Sequence, residues 1–376
     1  MTTAFDNLSP DRLSRGIYWQ RSWNIILGCT PVSPGCAHCW SAREAKRFAA
    51  HPNTIISSRY TGLTQGDTWS GVVRPNHAAL DIPLGRKKPT VFALWTDLFH
   101  EDVPDDFRDQ VFARMAMCPQ HVFLVLTKRS EGMREYVTSN ERRSSVMLAK
   151  HELSLPEYLK GRTTEVEDGT PWPLPNVLLG ATAEDQQRLE ERAPDIMALA
   201  RLGWRTWMSL EPLLGPVDLG FTRRPTDDDY CGWTGDGPID VVVTKTGQVL
   251  SWIVAGGETG PGARPMHPDW IRAVRDQCVE AGSPFLLKQW GEWGTTRIKM
   301  GTGEPVWSYF SDFENYCDKA PTRMVKGDKL ICPDGHMPTH GGRDGKTFPM
   351  VITTRVGKKR AGRLLDGQTW NGLPNL

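Results

Sequence analysis

Three cysteines stand within eleven residues, Cys29, Cys36 and Cys39, spaced C-x6-C-x2-C on a stretch that also holds Pro31, Pro34 and Gly35. Thiolates are soft ligands. A structural zinc ion or a fully ligated iron–sulfur cluster takes four protein ligands. Three thiolates leave one position open, which suits a 4Fe–4S cluster whose fourth iron accepts a ligand from outside the protein. The plain alternative is structural zinc, completed by His38 or a remote cysteine. His38 lies between Cys36 and Cys39, so all four groups would have to fold onto one ion. The prolines and the glycine shape a loop on which three sulfurs can converge.

The elements around this loop follow from hydrophobic patterning. Residues 22–27 read as a short buried strand before it, and residues 41–50 as a helix of good formers after it. Further apolar runs, each closed by a polar tip and mostly followed by an amphipathic helix, occupy residues 90–95, 121–126, 176–181, 204–208, 250–255 and 284–287. The helices are expected over 104–117, 130–137, 187–201 and 268–281. Continuous apolar strands alternating with helices predict a parallel sheet covered on its outer face. Seven such units predict an α/β fold of the (β/α) barrel type, complete or partial, over residues 17–292. Insertions interrupt it at about 51–88 (a long connection with a small hairpin), 140–175 and 220–247, the last two near the rim. Residues 293–376 read as an irregular C-terminal extension packing on the barrel.

In such a fold the strand tips share one mouth. They carry Thr96, Asp97, Glu101, Lys128, Arg129, Glu184, Asp185, Glu211, Glu258, Lys288 and Gln289. One carboxylate after a strand is ordinarily an N-cap or a surface salt bridge. Repeated occupation of the same structural place points instead to a pocket with both signs of charge. Such a pocket fits a ligand bearing an ammonium, a carboxylate and hydroxyls. Apolar residues make up 39% of the chain and its net charge is +1. That suffices for a sizeable core and argues against electrostatic nucleic-acid binding by the molecule as a whole. No run of about 18 apolar residues occurs, so no membrane span is expected. Residues 1–16 are polar and lack the apolar core of a signal peptide. Eight cysteines, three of them on one loop, point to metal binding rather than a disulfide framework. Fifteen tryptophans supply packing or stacking surfaces for a planar ligand.

The three-cysteine loop resembles that of the radical S-adenosylmethionine (SAM) enzymes, although their commoner spacing is C-x3-C-x2-C. The chain is similar, more specifically, to a phage-associated radical-SAM-like family. The matching segments are Trp23-Asn24, Gly28-Cys29-Thr30, Ser33-Pro34-Gly35-Cys36, the run from Asp97 to Asp102, Leu126-Thr127-Lys128-Arg129, the run from Ser209 to Pro216, Gly256-Gly257-Glu258, the run from Gly260 to Met266, Lys288-Gln289-Trp290-Gly291 and the run from Gly362 to Gly367. Residues 25–27 depart from it by being wholly apolar. The resemblance implies a 4Fe–4S cluster on Cys29, Cys36 and Cys39, with SAM on the open iron. Many radical SAM enzymes receive the SAM ammonium on a Gly-Gly-Glu at the second strand. Here that tripeptide ends the sixth strand, so by place Thr96 and Asp97 are the expected ammonium contacts. Glu184, Glu211 and Glu258 remain for the other groups of SAM, Glu258 for the ribose or the substrate. Lys128, Arg129 or Arg264 would hold a substrate carboxylate, beside Lys288 and Gln289, with Trp40, Trp95 or Trp290 stacking on adenine or a base.

Some phage relatives are implicated in thymidine hypermodification. By that resemblance the expected substrate is modified DNA, in which an isomerase moves a glycyl group from nitrogen to carbon linkage and so protects the DNA from host restriction. A base in duplex DNA would have to be flipped out, and the basic run of residues 355–363 would hold phosphates. Flavodoxin or ferredoxin would supply the electron. The expected location is the cytoplasm, that of the host if the gene is phage-borne. Two alternatives stay open: a radical SAM enzyme acting on a small molecule, peptide or RNA, and a non-catalytic zinc or iron–sulfur binding module.

Overall fold

Seven apolar runs pair into one parallel sheet: β1 Arg21–Trp23, β2 Val91–Leu94, β3 Val122–Thr127, β4 Val177–Thr182, β5 Arg205–Leu210, β6 Trp252–Gly256 and β7 Phe285–Gln289. Their order across the sheet is their order in the chain. Every crossover therefore returns next door, as in a barrel, and the sheet curls into a half-barrel rather than a doubly wound sheet. This computed structural model describes residues 4–153, 169–220, 250, 252–338 and 348–375.

Alternation along the strands explains why both faces are apolar. Val91, Val122, Leu124, Leu178, Trp207, Val254 and Leu286 pack on the concave side, against Phe5, Leu8 and Tyr18 of the N-terminal segment. Tyr18 sets its ring edge-on to Trp207 and Trp252, with centroids 6.2 and 4.9 Å away. Phe92, Phe123, Val125, Leu179, Met208, Ile253 and Leu287 face the other way, into the core shared with the helices. These helices are α1 Trp40–Ala49, α2 Asp105–Ala116, α3 Ser130–Thr138, α4 Arg142–His151, α5 Gln186–Arg201 and α6 Pro268–Ala281. Asp185 caps α5 by accepting the Arg188 N–H at 2.9 Å. Gly282 ends α6 in the left-handed conformation, at φ 69°.

The structure corrects several expectations. The strand expected over 22–27 is two pieces. The chain turns after Trp23, and Ile26–Leu27 leaves the sheet to pair antiparallel with Arg74–Pro75. The 51–88 connection holds a helix, Thr54–Tyr60, and the hairpin of Thr64–Gln65 with Thr68–Trp69. The start of the 140–175 stretch is helix α4, not a rim loop. Arg142 binds Asp105 and Asp109 of α2 at 2.8 and 2.9 Å, and Val146 is buried. Residues 154–168 of that stretch and most of 220–247 lie outside the described residues.

The described residues after 293 also form regular elements. Strands β8 Trp293–Gly294, β9 Ser308–Phe310, β10 Lys329–Ile331 and β11 Met350–Arg355 form an antiparallel sheet in which β11 pairs with the other three, and helix α7 spans Phe313–Arg323. The basic run of 355–363 is partly structural. Arg363 is 7% exposed and donates to the carbonyls of Leu287 and Trp370 and to Asn371. A buried guanidinium satisfied by protein carbonyls is not placed to hold phosphates. Among the described residues no helix is long and apolar enough to cross a membrane.

Candidate functional site

A cavity of about 250 Å³ opens where the strands end. Cys29, Cys36, Cys39, Thr96, Asp97, Lys128, Arg129, Glu211, Glu258, Lys288 and Gln289 all line it, with His38, Trp40 and Trp95. The topology explains the convergence. Parallel strands end on the same side, so residues far apart in sequence share one mouth. Five expected residues lie outside the lining: Glu101, Asp185, Glu184, Arg264 and Trp290. Trp290 is 2% exposed and donates its indole N–H to the Leu364 carbonyl at 2.8 Å, so it is core and offers no stacking face. Glu184 and Arg264 sit behind the cysteine loop and hold it.

Three clamps fix that loop. In the middle, the fully buried carboxylate of Glu184, just beyond β4, accepts the Gly35 N–H at 2.9 Å and the Ser33 hydroxyl. Lys128 (3.1 Å) and Arg192 (3.0 Å) balance its charge. Burial pushes the Glu184 pKa up, but Lys128, Ser33, Arg192 and the Gly35 N–H outweigh burial and hold it down at about 2. A Cβ on Gly35 would stand 2.8 Å from Glu184 Oε1, so a larger residue there would push on this carboxylate.

On the Cys29 side, Arg129 donates to Thr30 Oγ1 at 2.5 Å, Asp97 at 3.0 Å and Glu101 at 2.8 Å. It also lies 3.9 Å from the Cys29 sulfur. His100 is 2% exposed. Its Nδ1 accepts the Asp102 N–H at 3.1 Å, so Nε2–H donates to Thr30 Oγ1 at 2.7 Å. Burial and then the Arg129 charge lower its pKa and keep the ring neutral. On the far side Arg264 grips Glu258 through two guanidinium nitrogens, at 2.6 and 2.8 Å, and donates to the Pro34 carbonyl at 2.9 Å.

These partners alter what several tip residues can do. Asp97 already accepts from Phe99 N, Thr127 Oγ1, Lys128 N and Arg129. Thr96 donates its hydroxyl to the Ile26 carbonyl. Both work as braces. The opposite wall is less committed. Lys288 is paired with Glu211 at 3.0 Å and lies 5.4 Å from the ring centre of Trp19. Glu211 also accepts the Tyr18 hydroxyl at 3.2 Å. Gln289 is 9% exposed and its Oε1 has no hydrogen-bond partner, as is true of the 5%-exposed Ser41 hydroxyl. Buried polar atoms left unpaired on a cavity wall are what a ligand would satisfy.

The Gly-Gly-Glu tripeptide has a packing explanation for its second glycine. A Cβ on Gly257 would stand 1.9 Å from the Trp290 carbonyl oxygen. We expect Gly257→Ala to destabilise the protein by about 1–3 kcal/mol, measured as a lower urea midpoint. An unchanged midpoint would mean that β6 and the 290 segment part freely.

The three thiols suit a soft metal by their chemistry, and they share one cavity on one loop. Among the described residues no group of three His, Cys, Asp or Glu side chains stands in metal-binding geometry. The thiols therefore line a common space without being drawn onto one point. Burial, then the Asp97 charge, pushes Cys29 up to about 12 against the opposing effect of Arg129, and burial raises Cys39. A metal would have to displace these protons. His38 packs against Gly262, where a Cβ would meet its ring at 2.6 Å. Of the other described cysteines, Cys118, Cys278 and Cys332 are buried elsewhere and Cys317 is exposed.

Thr30, Ser33 and His100 entered the sequence reading only as parts of longer matching segments, without a role, and Arg192 and Tyr18 did not enter it. Ser33, two residues before the invitingly small Gly35, was a readable hydroxyl on the loop. Arg192 in mid-helix carried no signal of its target eight residues earlier.

The chain matches, over residues 14–374, the family described as protein of unknown function (DUF5131), and it belongs to that family. No curated protein matches the chain, and no solved structure matches it.

Proposed function

We propose that this member of the DUF5131 family is a radical SAM enzyme, with Cys29, Cys36 and Cys39 holding a 4Fe–4S cluster and SAM entering the cavity beside them. The observation that supports this reading is that the three thiols of one loop and the ends of β2, β3, β5, β6 and β7 line a single cavity. The cluster, when bound, would supply the electron that splits the sulfonium C–S bond of SAM and yields the 5′-deoxyadenosyl radical. The chain's own groups bind and exclude water. Arg129 lends positive charge beside Cys29. Gln289 Oε1 is the open acceptor for an ammonium or amide. The Lys288–Glu211 pair offers a cation to a carboxylate and an anion to a donor.

The substrate we propose with this chemistry is an amino-acid-bearing thymine in DNA, with a product of equal mass and altered connectivity. Reduced, anaerobically reconstituted enzyme with SAM should release 5′-deoxyadenosine or show its turnover. With DNA carrying N-linked glycyl-thymidine it should give a new isobaric nucleoside on chromatography. SAM cleavage without that nucleoside would overturn the DNA substrate and favour a small molecule, peptide or RNA. Stoichiometric zinc with no iron after anaerobic purification would overturn the cluster itself and favour a zinc site that uses His38.

A further inference from the structure

A second and more open cleft, of about 610 Å³, adjoins the cavity and shares Ser22, Trp40, Trp95 and Thr259 with it. We propose that this cleft is a binding site for a nucleoside phosphate, with the base stacked on Trp40 and the phosphate received by Arg43 and Lys358. The proposal deepens the substrate side of the reading above, but its observations do not depend on the cluster.

The platform is built for a flat ring. Trp40 is 51% exposed and lies nearly parallel to Trp95, with centroids 5.9 Å apart and planes 18° apart. Phe48 and Tyr60 brace Trp95 at 5.8 and 6.1 Å, so one indole is fixed from behind while the other offers a face. Stacking of a base on such a face tolerates any base, because each has a π-surface.

The donors around the platform lack acceptors. The Trp95 indole N–H and Arg43 Nη1 are buried without a hydrogen-bond partner. Arg43 is held in place through Nη2, which donates to the Thr259 carbonyl at 2.8 Å. Neither Arg43 nor Lys358 makes an ion pair among the described residues, and both line the cleft. Two carboxylates line it too, and each is engaged. Glu44 is tied to Arg47, and Glu292 accepts the Gly260 N–H at 2.9 Å while its charge also acts on Lys358, which a bound phosphate would have to outcompete. Unmatched N–H donors and two cations without a direct ion pair beside a stacking face call for oxygen acceptors and negative charge on a planar ligand. A base carbonyl and a phosphate supply them.

The test uses the full-length protein without added iron, sulfide or SAM, and reads tryptophan quenching and titration calorimetry. The probes are the deoxynucleoside 5′-monophosphates, the nucleosides, inorganic phosphate and a short single-stranded oligonucleotide. Monophosphates should bind with little preference among bases, and the nucleosides more weakly. Trp40→Ala should weaken binding about ten-fold or more, while Trp40→Phe should hold it within about three-fold. Lys358→Ala should weaken binding and flatten its salt dependence. Binding by the oligonucleotide alone would support the site and assign its ligand to a nucleotide within a strand. Equal binding of phosphate and monophosphate, indifference to Trp40→Ala, or no binding by any probe would overturn it. Failure here with SAM cleavage intact would leave the cluster reading standing, and the converse result would leave the cleft standing.

Discussion

On the proposed radical SAM reading, Cys29→Ala, Cys36→Ala and Cys39→Ala should each abolish iron–sulfur reconstitution and SAM cleavage, while Cys118→Ala, Cys278→Ala, Cys317→Ala and Cys332→Ala should leave both intact. The contrast rests on place. The first three line the cavity, whereas the described others are buried elsewhere or exposed on α7. Removing one of three thiolates leaves too few ligands to hold the cluster, so loss should be nearly complete rather than graded. The measurements are iron and sulfide content, visible charge-transfer absorbance and 5′-deoxyadenosine release. Equal damage from one of the remote cysteines would point to a fourth protein ligand and a closed site. Because burial raises Cys29 to about 12 and raises Cys39, metal uptake releases protons. Reconstitution should therefore become more favourable as the pH rises.

Glu184→Leu carries the second large effect, and it falls on stability before chemistry. The substitution strips the loop of its bonds from Ser33 and Gly35 and leaves Lys128 and the buried Arg192 without their anion. An uncompensated buried charge costs about 3–5 kcal/mol. Glu184→Gln keeps acceptor capacity and should cost less, while still impairing metal loading. The native ion pair also fixes a pH dependence. The Glu184 pKa in the folded protein, about 2, lies below the ordinary 4.5. Its contribution is therefore full above about 4.5 and is lost as the pH falls towards 2, roughly 3 kcal/mol over that window. Urea midpoints of the native protein and of Glu184→Leu should converge as the pH is lowered from 5 to about 2. A gap that stays constant with pH would show that the clamp acts through packing alone.

Much of the half-barrel was legible because strands buried on both faces leave continuous apolar runs, and because each run is closed by a polar tip. Val122–Thr127 and Val177–Thr182 lie within a residue of their expected bounds. The C-terminal sheet was not legible. Apart from the six-residue β11, its strands are only two or three residues long. A run so short, set among glycines and turns, has no period to read, and it becomes a strand only when β11 lies beside it.

The chemistry divides in the same way. The amino-acid sequence alone determined that three thiols share a loop and that charged residues crown the strands, since both are matters of residue type and spacing. It could not decide which charges meet. Glu184 finds Ser33 and Gly35 across 151 and 149 residues, and Arg264 finds Pro34 across 230. Asp97, expected to face a ligand, is consumed by Thr127 and Arg129, while Gln289, a weaker candidate by type, is left with an open acceptor. Pairing depends on distances of about 3 Å between atoms brought together by the curl of the sheet. That curl follows from strand order and packing, so only the tertiary structure decided which tip residues brace the cysteine loop and which remain for a ligand.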